Sequence, residues 1–175
     1  MSVKVGCPAP EFTVSALVDG DVNGEVSLSD YKGKWVLLYF YPLDFTFVCP
    51  TEIIAINEAV PKLAELNCQV LACSTDSVYS HLAWTESHPG LKNMAHPMLA
   101  DTAHEVSKAY DVLLEDKGIA LRGSFVIDPE GVLQWVNVNA LNVGRSVDEI
   151  IRVLEALQTG GLTPCGWTPG QATLG

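Results

Sequence analysis

Trp35 to Tyr41 reads WVLLYFY, an unbroken apolar and aromatic run that stops at Pro42. A strand with one wet face alternates polar and apolar residues. A continuous run predicts a central strand buried on both faces. Such a strand needs layers on either side of its sheet, which points to an α/β architecture. From Glu52 to Leu66 the apolar residues Ile53, Ile56, Ala59, Leu63 and Leu66 follow a helical period. Pro61 is expected to kink or restart that helix. Cys68 to Asp76, CQVLACSTD, reads as a second buried strand. Strand, helix and strand in that order predict a right-handed βαβ crossover with parallel strands.

The remaining segments extend the pattern. FTVSAL and EVSLSD flank DGDVNG and predict a hairpin with an Asn-Gly turn. Ser77 is placed to cap a helix over Val78 to Ser87, ended by His88-Pro89-Gly90. A short helix is expected over Ala103 to Tyr110. Leu121 to Ile127 and Val132 to Val138 form a hairpin around Asp128-Pro129-Glu130-Gly131. Ser146 and Glu149 predict a capping box opening a helix through Leu157. From Gly160 the chain is rich in Gly, Pro and Thr, hence irregular and mobile. This order predicts a thioredoxin-like α/β fold.

The chain has 175 residues and a net charge of −11, which disfavours nucleic acid as a partner. No apolar run is long enough to predict a membrane span, and the N-terminus has no apolar signal core. The five cysteines (Cys7, Cys49, Cys68, Cys73 and Cys165) are an odd number without dense spacing, which fits cytosolic thiol chemistry better than a secreted disulfide scaffold. No paired Cys/His spacing predicts a zinc site. His81, His88, His96 and His104 read as solvated surface residues, because Pro89, Gly90 and Pro97 interrupt any helical stripe.

Cys49 falls where the central strand gives way to a helix, and Pro50 suits the first turn. Helix N-termini present unpaired N–H groups and a positive dipole end, which stabilise a thiolate. A free cysteine is more often a small buried apolar residue. Dithiol oxidoreductases carry Cys-x-x-Cys at such a turn, whereas here Glu52 stands at the second position. A single-nucleophile site follows, and any resolving thiol comes from elsewhere.

Pro42, Thr46, Cys49, Pro50, Thr51 and Glu52 form the pattern PxxxTxxCPTE. It resembles the peroxidatic motif of the peroxiredoxins, and FYPLDFTFVCPTE resembles the typical 2-Cys group with the alkyl hydroperoxide reductase C subunits. The similarity continues through Ser74 to Ser77, His81 to Trp84, Pro97 to Asp101, Ala120 to Gly131 and Val143 to Glu149, and weakens at the C-terminus.

The resemblance implies a peroxiredoxin-type thioredoxin fold over residues 1–159 with an added N-terminal hairpin, and a tail at 160–175. It implies a thiol peroxidase for hydrogen peroxide and alkyl hydroperoxides, with Cys49 as nucleophile forming a sulfenic acid. Thr46 would orient the peroxide, or else make only a local turn hydrogen bond. Pro42 would shield the sulfur, or merely end the strand. Arg122, otherwise a solvent-facing strand charge, would face Cys49 and favour its thiolate. Glu52 would hold the arginines in place, with Arg145 a weaker member of the same network.

Typical members carry Val-Cys-Pro before the C-terminal Trp. Aligned on Gly166 to Gly170, this chain has Thr163 and Pro164 at the Cys-Pro positions, and Cys165 two residues late. Cys165 is the expected resolving thiol, through an intersubunit disulfide; a one-Cys mechanism or resolution by Cys7 are the alternatives. Cys68 and Cys73 read as inert core thiols. The expected reductant is thioredoxin, or a flavoprotein or thioredoxin-like partner. The expected assembly is a homodimer within a decamer, in the cytoplasm, with no metal, haem or flavin cofactor. A dithiol reductase, and a holdase or redox sensor, are the competing classes. The chain also lacks a Gly-Gly-Leu-Gly insertion and a Tyr-Phe extension, which implies resistance to over-oxidation.

Overall fold

The apolar run WVLLYFY forms an interior strand of one sheet, with a ladder partner on each side. The computed structural model describes residues 3–174. It divides into two units, Met1–Arg145 and Ser146–Gly175.

The first unit contains β1 (Thr13–Val18), β2 (Asp21–Ser27), β3 (Trp35–Phe40), α1 (Cys49–Glu65), β4 (Cys68–Ser74), α2 (Val78–Ser87) and β5 (Met98–Ala100). It continues with α3 (Glu105–Ala109), β6 (Leu113–Leu114), β7 (Ile119–Ala120), β8 (Arg122–Ile127) and β9 (Leu133–Asn139). Seven strands form one sheet in the order β2-β1-β5-β4-β3-β8-β9. β3 runs parallel to β4 and antiparallel to β8, so the βαβ crossover is present as predicted. Val36 to Tyr41 are all at most 2 % exposed, as a strand covered on both faces requires. This mixed sheet with α1 packed on β4 and α2 on β1 and β5 is the thioredoxin-like arrangement, with the β1–β2 hairpin added before it.

Three local expectations need correction. The first hairpin turns at Asp19-Gly20, not at Asn23-Gly24, since Val18 pairs with Asp21. Both turn residues have positive φ, 50° and 81°, the geometry of a type I′ turn. Asn23-Gly24 lies within β2, where a Cβ on Gly24 would come 2.7 Å from the Ala16 carbonyl oxygen. Glycine serves close strand approach there rather than a turn. The second correction concerns Pro61, which does not restart α1; the helix is continuous through it.

The third lies in the second unit. α4 (Val147–Gln158) is capped by Ser146, whose hydroxyl accepts from the Glu149 N–H at 3.3 Å. The reciprocal half of the capping box is absent. The Glu149 carboxylate instead takes the Nε and Nη2 of Arg152, at 2.6 and 2.7 Å. Beyond α4 the described residues of the tail form no helix or ladder, yet the tail closes on itself: the Leu174 N–H donates to the Leu162 carbonyl at 2.7 Å.

Candidate active site

β3 ends at Phe40, and the Tyr41 N–H still pairs with the Cys73 carbonyl at 3.0 Å. Pro42 then removes a donor and ends the ladder. It is buried. The loop that follows is fixed at Asp44, whose carboxylate accepts from Tyr41 Oη (2.7 Å) and Ser80 Oγ (2.8 Å) and meets His81 Nδ1 (2.7 Å). The Asp44 N–H donates to Asp76 Oδ2 at 2.7 Å, and His81 Nε2 meets the Leu99 carbonyl at 3.1 Å. Burial holds the Asp76 carboxyl above its ordinary range. The loop is therefore tied to α2 before it delivers the chain to α1.

Cys49 is the first residue of α1 and has no solvent exposure. Its sulfur is 3.4 Å from Arg122 Nη1. Arg122 opens β8, and only 4 % of it is exposed. Its Nε donates to the Leu141 carbonyl at 2.8 Å, which fixes the guanidinium plane. Nη1 also donates to Glu52 Oε2 at 2.6 Å. The expected arginine facing Cys49 is thus in place, and the solvent-facing alternative is excluded.

Glu52 lies one turn along α1 from Cys49 and is itself buried. Its second oxygen accepts from both the backbone N–H and the Nε of Arg145, at 2.9 and 3.0 Å. Arg145 also donates to the Gly123 carbonyl (2.9 Å), Ser124 Oγ (3.1 Å) and the Phe40 carbonyl. Its guanidinium carbon sits 5.1 Å above the centre of the Tyr39 ring. Two cations share one carboxylate, and all three side-chain nitrogens of Arg145 are bonded. Buried charges are retained where such partners offset their desolvation. Arg145, read from sequence as a weaker member, is as deeply engaged as Arg122.

Thr46 lies in the loop, and its hydroxyl donates to the Leu43 carbonyl at 2.9 Å, the local turn bond. Its lone pairs remain available to accept. Cys165 is exposed in the second unit, and Cys7 is exposed near the N-terminus. Cys68 and Cys73 lie in β4; burial pushes the Cys68 thiol up to about 12 and the Cys73 thiol well above its ordinary value.

The histidine expectation was wrong for two of the four. His81 and His96 are buried, and His88 and His104 are half-buried. His81 belongs to the inward face of α2 with Val78, Trp84 and Thr85, a spacing visible in the sequence. His96 Nε2 is 2.8 Å from the Tyr39 hydroxyl, and burial lowers its pKa to about 3. No local signal marks this second contact.

The AhpC/TSA family profile matches residues 5–136. A thioredoxin peroxidase of Echinococcus granulosus is 54 % identical over 99 % of this chain and 93 % of its own length. The chain belongs to the peroxiredoxins, in the AhpC/TSA family. Peroxiredoxin TSA1 of Saccharomyces cerevisiae is 53 % identical, over 99 % of this chain and 92 % of its own. The reduced 2-Cys peroxiredoxin of Plasmodium vivax superposes with a TM-score of 0.91 at 45 % identity, covering 97 % of this chain and 91 % of that one. The peroxiredoxin fold read from the sequence is therefore the fold found, and the chain is a thiol peroxidase. Among the described residues no helix is long and apolar enough to cross a membrane.

Proposed function

We propose that Cys49 is the peroxidatic nucleophile of this peroxiredoxin. The observation that carries the reading is the contact between a fully buried Cys49 sulfur and a buried arginine, 3.4 Å apart. Burial alone makes a thiol inert; a permanent cation beside it favours the reactive thiolate. The thiolate attacks one oxygen of hydrogen peroxide or an alkyl hydroperoxide. The S–O bond forms, the O–O bond breaks, and the leaving alkoxide or hydroxide takes a proton. Arg122 stabilises charge on both the sulfur and the peroxide oxygens. Glu52 and Arg145 position Arg122. Thr46, its own proton given to Leu43, accepts from the peroxide hydroxyl, and Pro42 covers the loop side of the sulfur.

Cys165 of a second subunit then resolves the Cys49 sulfenic acid as an intersubunit disulfide, and thioredoxin or a flavoprotein-linked thioredoxin-like donor reduces it. β9 lies at an end of the sheet, with β8 as its ladder partner, which suits edge-to-edge pairing in a homodimer and assembly of such dimers into a decamer. Cys49→Ser is expected to abolish peroxide consumption while leaving the far-ultraviolet spectrum unchanged. Peroxidase turnover retained by that variant would refute the assignment. Sedimentation under reducing conditions tests the assembly, and a species at the monomer mass of 18.9 kDa would refute it.

A further inference from the structure

A cation on α4 fastens the segment that carries Cys165. Pro164 to Trp167 form a four-residue turn, with the Trp167 N–H on the Pro164 carbonyl at 3.0 Å and Gly166 at φ 69°. Cys165 is exposed in that turn. Arg152 Nη1 donates to the Trp167 carbonyl at 2.9 Å. Its other two bonding nitrogens, Nε and Nη2, are taken by Glu149, which aims the third at Trp167. Trp167 Nε1 donates in turn to the Gln171 carbonyl at 3.0 Å, and the Gln171 side chain accepts from the Thr168 N–H at 3.0 Å. The backbone is therefore held on both sides of Cys165, at Leu162 and at Trp167.

We infer that Arg152 is a positioning residue for the resolving step, a latch that withholds slack from the Cys165 turn and so limits how fast that thiol reaches the Cys49 sulfenic acid. The inference rests on Cys165 being the resolving thiol. A disulfide demands Cα atoms about 4.4–6.8 Å apart and a narrow range of torsions. Cys165 stands two residues beyond the position usual among typical 2-Cys members, a displacement of about 7 Å of extended chain. Reaching the usual partner from there needs slack, and the bond from Arg152 to the Trp167 carbonyl removes it. In the step itself the Cys165 thiolate attacks the sulfenic sulfur. The S–S bond forms, the S–O bond breaks, and hydroxide leaves to combine with the proton given up by the thiol.

Rapid-quench mass spectrometry after one equivalent of hydrogen peroxide separates the two steps. Arg152→Gln is expected to raise the first-order rate of Cys49–Cys165 disulfide formation about tenfold, the scale of one charge-assisted hydrogen bond. Peroxide attack on Cys49, in which Arg152 takes no part, should be unchanged. Glu149→Gln leaves the arginine but loosens its aim, and should raise the same rate by a smaller factor, about threefold. A merely structural role for Arg152 would move both steps or neither. Disulfide formation that is unchanged or slower in Arg152→Gln overturns the latch. Should that variant also lose the attack step, Glu149→Gln decides: an unchanged or slower disulfide rate there overturns it equally. A wild-type protein that forms disulfide with Cys165, but whose variants behave alike, overturns the latch only. A wild-type protein with no Cys49–Cys165 disulfide overturns the resolving assignment and the latch together.

Discussion

Cys49 and Cys73 are both completely buried, the first opening α1 and the second near the C-terminal end of β4. Their neighbours differ in sign. Cys49 meets the guanidinium of Arg122. Cys73 is pushed up by burial first, and by the nearby Asp101 carboxylate second. On the proposed assignment, burial is not what distinguishes the reactive thiol from the inert one. The charge brought within reach of the sulfur distinguishes them, and in this fold that charge arrives on β8, the strand next to β3.

Removing the cation should erase the difference. Arg122→Ala is expected to slow peroxide attack by about 10²–10³-fold, the scale of deleting one preorganised donor at a reacting centre. Stopped-flow fluorescence at neutral pH checks it, and a rate near wild type would mean that Cys49 owes its reactivity to the helix start alone. A smaller effect is expected from Glu52→Gln, which keeps the arginines but leaves two buried cations without their shared anion. About 3 kcal/mol of stability should be lost, read by urea unfolding, with a fall of about tenfold in the attack rate as Arg122 loosens.

The third prediction concerns the far side of the arginine network, where His96 bonds the Tyr39 hydroxyl beneath Arg145. The folded protein protonates His96 only at about pH 3, against an ordinary value of 6.5. Between those values the unfolded chain takes up a proton that the folded chain refuses, so stability falls as pH drops through this window. The slope is at most about 1.4 kcal/mol per pH unit. Unfolding curves at successive pH values should show this loss, and His96→Gln, which retains a partner for Tyr39, should flatten it. Equal acid sensitivity in the variant would place the origin elsewhere. Smallest of all, Cys73→Ala should leave peroxide kinetics unchanged and cost about 1 kcal/mol of packing; a slowed reaction would show that the second buried thiol takes part.

The sequence made the central strand, the crossover and the elements around them legible because their signals are local: an apolar run, a helical period, a capping serine. The turn at Asp19-Gly20 was missed because the segment holds two turn dipeptides, and only strand pairing chooses between them. Among the site residues, Pro42, Thr46, Cys49 and Glu52 fall in one continuous motif. Arg122 needed the family pattern, since nothing local says which face of β8 turns inward. Arg145 was undervalued because it stands in a loop and gains its weight from tertiary contacts with Glu52, Gly123 and Phe40. His81 was misjudged because rejecting a stripe of four histidines assigned all of them to the surface together, instead of placing one of them on the period of α2.

Cys49 and Glu52 occupy the same opening turn of α1. A sulfur without solvent exposure cannot join another subunit's thiol until that turn comes apart. Unwinding it would carry Glu52 away from Arg122 and Arg145, and the carboxylate that aims the cations would leave with the nucleophile. On the proposed assignment, attack and resolution would be mutually exclusive states of one helical turn. While the disulfide stood, the peroxide site would be dismantled, and its reduction would also be the event that rebuilds the site.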